Sequence, residues 1–200
     1  MGATANLETK TVSVQPGGEA SVRIRIQNSG TVVDEFMLQV LGDAAAWTTA
    51  TPPTVSLFPG NDQIATITFR PPKTSQTRSG QIPFGIRVQS REDPAGSVVE
   101  EGTVSVGVFG DTTAELIPRN SRGSRSVTHQ VAVDNRGNGP IQVGFTAGDQ
   151  DKLLEFAVKP ASIVVPPGAA GFARVQVRPR QLFWRGQPKS KAFQVLVQPD

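Results

Sequence analysis

The chain has 200 residues, among them 20 glycines and 16 prolines, but it has no cysteine, no tyrosine and a single histidine, His129. These numbers exclude disulfides, CxxC redox sites, zinc fingers and every site that needs two histidines. The net charge of +3 is unevenly distributed, because residues 1–111 carry 8 basic and 11 acidic side chains whereas residues 112–200 carry 12 and 6. The basic excess therefore belongs to the second half of the chain, and it leaves a polyanion-binding surface open there.

An internal repeat predicts two copies of one domain. Asn28 and Gly30 recur as Asn135 and Gly137, an offset of 107 residues. Three further landmarks recur in the same order at nearly that offset: Pro59-Gly60 as Pro167-Gly168, Phe69-Arg70-Pro71 as Val177-Arg178-Pro179, and, loosely, Gly80-Gln81 as Gly186-Gln187. The repeat indicates domains at residues 1–110 and 111–200.

Each copy is predicted to consist of short β-strands, because apolar and polar residues alternate and no stretch sustains a helical apolar face. Glycine and proline pairs such as Pro16-Gly17 separate the strands. This pattern is typical of all-β proteins and predicts two tandem immunoglobulin-like β-sandwiches, with Trp47 filling the first core. We predict strands at 7–15, 19–28, 33–41, 46–50, 54–58, 62–70, 81–89 and 97–109, and then at 112–118, 125–134, 140–147, 153–158, 161–165, 170–178 and 190–198.

The second copy is predicted to lack its last strand. The first copy has a strand at 97–109 after the one at 81–89, whereas the second ends at Asp200 with no equivalent. Phe193, Val195 and Val197 would then lie beside an unpaired sheet edge. We therefore expect that the natural protein continues beyond Asp200, or that another segment fills this edge.

The motifs of the first copy resemble a known group of modules. They are the Asn-x-Gly at 28–30, then Trp47, then Pro59-Gly60, Arg70-Pro71-Pro72 and Gly80. In this order they are similar to bacterial immunoglobulin-like modules of the NEW3/CARDB type. Such modules occur beside carbohydrate-active enzymes and in surface or membrane-anchored proteins, so the resemblance implies the fold and leaves the function open.

Three further stretches resemble a narrower set: residues 90–94 (SREDP), 98–103 (VVEEGT) and 183–186 (FWRG). They are similar to actinobacterial proteins that carry the loose label "hydrolytic protein". In that set the sandwiches precede a membrane-spanning segment, and some members are encoded beside genes for phage-tail-like contractile particles. The resemblance implies a membrane-anchored full-length protein that is longer than this chain, and it does not imply hydrolysis.

No catalytic or metal site is expected. His129 aligns with Val22 of the first copy and is in phase with Val131, so it is expected to face the core. Asp149 and Asp151 lack the further acids of an EF-hand and are interpreted as a polar turn. The neighbouring carboxylates at 92–93 and 100–101 are interpreted as a surface hairpin rather than a glycosidase pair. No phosphate-binding glycine motif is present. The sequence predicts no cofactor, no metal and no enzyme.

A basic and aromatic segment at residues 178–191 is the candidate binding site. In the first copy the matching connection has no aromatic residue. One interpretation is that a ring caps the sandwich while the cations are solvated; the others are a protein contact and a polyanion site. The candidate contact residues are Arg178, Arg180, Phe183, Trp184, Arg185, Lys189 and Lys191.

These observations favour a non-enzymatic structural or adaptor module. It would mediate protein–protein contacts in a larger assembly or at the cell envelope, with a link to a phage-tail-like particle. The alternative is a carbohydrate- or polyanion-binding accessory module of a larger protein. Nucleic acid is not favoured as a partner, and a membrane would be reached only through sequence beyond residue 200. The first residues lack the charged and apolar regions of a signal peptide, which favours the cytoplasm or a membrane-associated face.

Overall fold

The computed structural model describes residues 2–181, 187 and 189–199. The chain divides into two compact units, unit 1 (Met1–Phe109) and unit 2 (Gly110–Asp200). Both are all-β, and each is a sandwich of two sheets around its own apolar core. In the part of the chain that the structure describes, no helix has the length and apolar character that a membrane crossing requires.

Unit 1 contains nine strands. One sheet has the order β1-β3-β7-β5 and the other has the order β2-β9-β8-β4-β6. Neighbouring strands are antiparallel except β2 and β9, which are parallel. The strands are β1 (Ala3–Leu7), β2 (Thr11–Val14), β3 (Ala20–Asn28), β4 (Asp34–Leu41), β5 (Thr48–Thr51), β6 (Thr54–Leu57), β7 (Asp62–Phe69), β8 (Gly80–Ser90) and β9 (Val98–Val106).

The core of unit 1 follows from the period-2 pattern of its strands. In β3, Ile24 and Ile26 are fully buried while the residues between them are exposed, because successive side chains point to opposite faces. They pack in one cluster with Phe36 and Ile86 of the facing sheet. The chain has no cysteine, so no disulfide joins the two sheets. Apolar packing joins them, together with the hydrogen bond from Asn28 Nδ2 of β3 to the Leu57 carbonyl of β6 (2.8 Å).

Unit 2 repeats this arrangement with fewer strands. Its sheets have the orders β10-β11-β15-β13 and β14-β12-β16. The β12–β16 pairing is the counterpart of the β4–β8 pairing, with Val197 in the place of Val88. The strands are β10 (Thr112–Ile117), β11 (Val127–Asn135), β12 (Ile141–Gly148), β13 (Leu154–Lys159), β14 (Ser162–Val165), β15 (Ala170–Pro179) and β16 (Gln194–Pro199).

Among the described residues of unit 2, no strand corresponds to β9, in agreement with the sequence prediction. In unit 1, β8 lies between β4 and β9, and β2 extends the same sheet beyond β9. In unit 2, β16 pairs with β12, and no strand among the described residues lies on its other side. The sheet therefore ends at β16, two strands earlier than the corresponding sheet of unit 1.

Three details of the sequence prediction are wrong. The strand predicted at 7–15 begins only at Thr11, as β2, and β1 at Ala3–Leu7 was not predicted. The chain leaves β1 at Leu7, crosses between the sheets through polar residues 8–10, and enters the other sheet as β2. The strand predicted at 190–198 begins only at Gln194. Trp47 packs against the first core from its edge rather than filling its centre: it is half-buried at the end of a short 3₁₀ helix and contacts Phe69, which is fully buried.

Candidate functional site

The unpaired side of β16 presents backbone groups that a further strand would use. The N–H of Phe145 in β12 donates to the carbonyl of Ala161 (2.9 Å), so the polar backbone groups of Phe145 point away from β16. Phe145 lies opposite Val197, and this is therefore a non-hydrogen-bonded antiparallel pair. The N–H and C=O of Val197 consequently face the open edge, and by alternation so do those of Val195. We call the unpaired side of residues 193–197 the β16 edge.

The side chains at the β16 edge are incompletely covered. Phe193, Val195 and Val197 pack against the core of unit 2, yet all three remain half-exposed. Their counterparts in unit 1 are Phe84, Ile86 and Val88, whose exposed fractions are 3%, 0% and 0%. The difference arises because β9 adds Val104 and Val106 to the core of unit 1, whereas unit 2 has no such strand among its described residues.

The length of β16 follows from the same missing neighbour. β8 has 11 residues and β16 has 6. The first part of β8, from Gly80 to Phe84, pairs only with β9, since β4 reaches no further than Gly85. The corresponding residues of unit 2, 189–193, form no strand. A strand needs a neighbour to satisfy its backbone, so β16 begins where β12 can pair with it.

In unit 2, a polar segment occupies the place in the sequence order that β2 has in unit 1. Residues 119–126 follow β10 as β2 follows β1, but they are all exposed and contain no apolar side chain. Arg119 forms an ion pair with Glu115 (3.1 Å). Within the described ranges, Arg122 and Arg125 have no ion pair. This segment, which we call the arginine segment, is basic where β2 is uncharged.

His129 is a core residue, which confirms its predicted orientation. It is 1% exposed, and its ring lies edge-on to Phe193 with 5.1 Å between the centroids. Its Nδ1 donates to the carbonyl of Pro118 (2.6 Å), and its Nε2 hydrogen-bonds the Ser121 hydroxyl (2.9 Å). The ring thus fixes the start of the arginine segment to the core, a contact for which the sequence gives no signal.

The predicted contact segment is described only in part. Arg178 is exposed and hydrogen-bonds Gln176 (3.2 Å), whereas Arg180 reaches the carbonyl of Leu154 with its Nε (3.3 Å). Lys189 is exposed and Lys191 is half-buried. Phe183, Trp184 and Arg185 lie outside the described residues. The two lysines belong to residues 189–193, directly before β16.

Asp149, one of the acidic candidates, has local structural partners. Asp149 accepts hydrogen bonds from the backbone N–H groups of Leu153 (2.6 Å) and Leu154 (3.4 Å), which confirms the polar turn. Among the described residues, no cluster of three or more histidine, cysteine or acidic side chains is suited to a metal.

One surface was not foreseen from the sequence. On the outer face of unit 2, Lys159 of β13 lies directly opposite Arg174 of β15, beside the exposed Phe172 and Ile117 of an open depression. Neither cation has an ion pair within the described part of the chain. Like charges at directly opposite positions are destabilising, so this pair favours an anion.

Among known proteins, the chain is similar to solved structures. No protein-family model matches the sequence, and no curated protein sequence matches it. Among solved structures, the ASH/PapD-like domain 7 of human CEP192 is 16% identical, with 51% of this chain and 82% of that chain covered and a TM-score of 0.36. The E. coli chaperone DraB is 14% identical (85% and 85% covered, TM-score 0.38), and the YadV chaperone is 15% identical (98% and 92%, TM-score 0.37). At these values the similarity concerns the fold alone.

Proposed function

We propose that this chain is a non-enzymatic structural or adaptor module that mediates protein–protein contacts in a larger assembly. The observation that carries the proposal is the β16 edge. At this edge, outward-facing backbone groups and half-exposed apolar side chains lie side by side. An exposed strand edge of this kind pairs readily with another chain. The polar groups that would serve catalysis have structural roles: the His129 ring holds Pro118 and Ser121, and Asp149 holds a turn.

The basic and aromatic segment at 178–191 forms the second part of the proposed contact. Aromatic and arginine side chains are enriched in protein interfaces, and Phe183, Trp184 and Arg185 supply both kinds. On the motifs given above, we also propose the NEW3/CARDB type and the actinobacterial set as the relatives of this chain. A membrane-anchored protein that docks a phage-tail-like particle would be one assembly of the proposed kind.

A second candidate function is the binding of a polyanion or an anionic glycan. The observation that favours it is the opposed pair Lys159 and Arg174 beside Phe172. Retention on a heparin column at physiological salt, lost in the double variant Lys159→Gln/Arg174→Gln, would support this candidate. Elution without retention would contradict it.

The proposed function is tested by comparing the proteins that immobilised variants of the full chain capture from extracts of the source cells. Val195→Pro alters the β16 edge, and Phe183→Ala/Trp184→Ala/Arg185→Ala alters the contact segment. Val164→Pro is the matched control, because Val164 is an exposed residue of β14 at the opposite edge of the same sheet. We expect at least one protein to be retained by the wild type and the control and reduced about tenfold in one of the other variants. The same proteins captured equally by all four chains would contradict the proposed function.

A further inference from the structure

We propose that the β16 edge accepts an extended acidic segment of another polypeptide as an additional antiparallel strand, in the register that β9 adopts on β8. This inference rests on the proposed function, since it specifies how the protein contact is made. Strand addition of this kind derives its affinity from backbone hydrogen bonds and its specificity from alternate side chains. In unit 1, β9 occupies the position beside β8 that is open beside β16, so unit 1 serves as the template for the added strand.

The register of the added strand follows from the equivalence of the two units. In unit 1, Val88 lies opposite Val98 and Ile86 lies opposite Glu100. The β16 counterparts are Val197 and Val195, and the latter's backbone groups face outward as those of Ile86 do. The N–H of Thr103 donates to Lys10 of β2 (2.7 Å), so the even-numbered residues of β9 turn their backbone groups to β8. The same alternation in an added strand matches the groups that the β16 edge presents.

The side chains that the site requires can also be derived from β9. Val98, Val104 and Val106 face the core of unit 1, which places apolar residues at alternate positions. Gly102 lies opposite Phe84, and a Cβ at this glycine would come within 2.5 Å of the ring and 2.9 Å of the Lys10 carbonyl. Because Phe193 takes the place of Phe84, the added strand needs glycine opposite Phe193.

Charge complementarity makes the occupant acidic. The added strand would run alongside residues 189–193, which include Lys189 and Lys191. Its far side would face the chain position of β2, which in unit 2 is the arginine segment, where Arg122 and Arg125 form no ion pair with any described residue. Opposite charges across an interface favour association and select the partner. β9 itself carries two glutamates among nine residues, so a strand of this kind is compatible with carboxylates.

Binding should also lengthen β16. Residues 189–193 form no strand in the structure, although their counterparts in β8 do so against β9. A bound strand would offer these residues the neighbour that they lack, so β16 should extend from Gln194 back to Lys189.

The test uses the full 200-residue chain and a synthetic peptide of residues 97–109, which includes β9. Amide hydrogen exchange is followed with and without the peptide. We expect the exchange of Phe193, Val195 and Val197 to slow by about tenfold or more, and protection to extend to Lys191. Val195→Pro should abolish the effect, and Val164→Pro should leave it unchanged. Protection of Leu196, whose N–H faces β12, shows that each variant is folded.

Two modified peptides give a test that does not depend on the folding of a variant. N-methylation of Glu100 removes an N–H that would face β16, whereas N-methylation of Glu101 alters the opposite side of the strand. The first should weaken binding about tenfold or more relative to the second. A peptide with Glu100→Gln and Glu101→Gln should bind more weakly at low salt than the parent peptide.

Three results would overturn the inference: no change in exchange on addition of the peptide, equal protection in Val195→Pro, or a dimer of the chain that already protects residues 193–197. If the capture experiment finds a partner that depends on Phe183, Trp184 and Arg185 but not on Val195, strand addition is wrong while the proposed function stands. If no partner is captured but the peptide binds as described, the edge accepts a strand and the proposed function fails.

Discussion

Replacing Asn135 with alanine should lower the free energy of unfolding of unit 2 by about 3 kcal/mol, and Asn28→Ala should have a similar effect in unit 1. Asn135 is 1% exposed, and its Nδ2 donates to the carbonyls of Gly139 (2.8 Å) and Val165 (2.9 Å). Its Oδ1 accepts from the N–H of Gly137 (3.0 Å). Alanine would leave three buried backbone groups without a partner, which costs more than an exposed hydrogen bond contributes.

The repeated Asn-x-Gly motif supplies a matched pair of experiments. Asn28 makes the same contacts, to Val32 (2.8 Å), Leu57 (2.8 Å) and Gly30 (2.9 Å). Amide exchange of core residues, followed at increasing denaturant concentration, gives the free energy of unfolding of each unit separately. The effects of Asn28→Ala on unit 1 and of Asn135→Ala on unit 2 can therefore be compared in the same chain. Asn120→Ala is the control, because Asn120 is exposed, and it should change stability by less than about 0.5 kcal/mol. If both alanine variants lower the free energy of unfolding by less than about 1 kcal/mol, the asparagine hydrogen bonds do not stabilise the two units as expected.

Val104→Asp should destabilise unit 1 by about 4 kcal/mol, since it places an unpaired charge in the core. Val104 is fully buried in β9, opposite Ile82. Detachment of β9 should make β8 behave as β16 does: the amides of Gly80, Ile82 and Phe84, which face β9 and lie beyond the reach of β4, should exchange rapidly. Those of Arg87 and Gln89, which face β4, should stay protected.

The control for this variant lies on the same strand. Val99 is 43% exposed, so Val99→Asp should change the free energy of unfolding by less than about 0.5 kcal/mol and leave the amides of Gly80, Ile82 and Phe84 protected. Uniform loss of protection along all of β8 in Val104→Asp would contradict the view that β9 alone holds the first part of that strand. Hydrogen exchange followed by NMR distinguishes the two outcomes.

Much of the fold could be predicted from the sequence because its signals are local. Alternation identifies β3, and the repeat transfers it to β11, so the core positions of Ile24 and Val131 follow without a structure. The separation of β1 (Ala3–Leu7) from β2 (Thr11–Val14) could not be predicted, because both strands alternate equally well. The choice between the two sheets depends on the parallel partner β9, which is about 90 residues away.

The candidate site shows the same limit. The open edge could be predicted, since it needs only a comparison of strand numbers between the two copies. The starting point of β16 could not, because Phe193 has a strand-like sequence context and lacks only a neighbour. The pair Lys159 and Arg174 was missed because the register of β13 and β15, rather than sequence spacing, brings the two residues together.

The amide exchange of β8 and β16 in the unmodified chain, without any added strand, is the most direct test of the incomplete second sandwich. We expect Ile86 and Val88 to be protected, because β9 pairs with them. In β16, Leu196 should be protected by β12, whereas Val195 and Val197 should exchange rapidly at the open edge. Protection of Val195 and Val197 equal to that of Ile86 and Val88 would contradict the account.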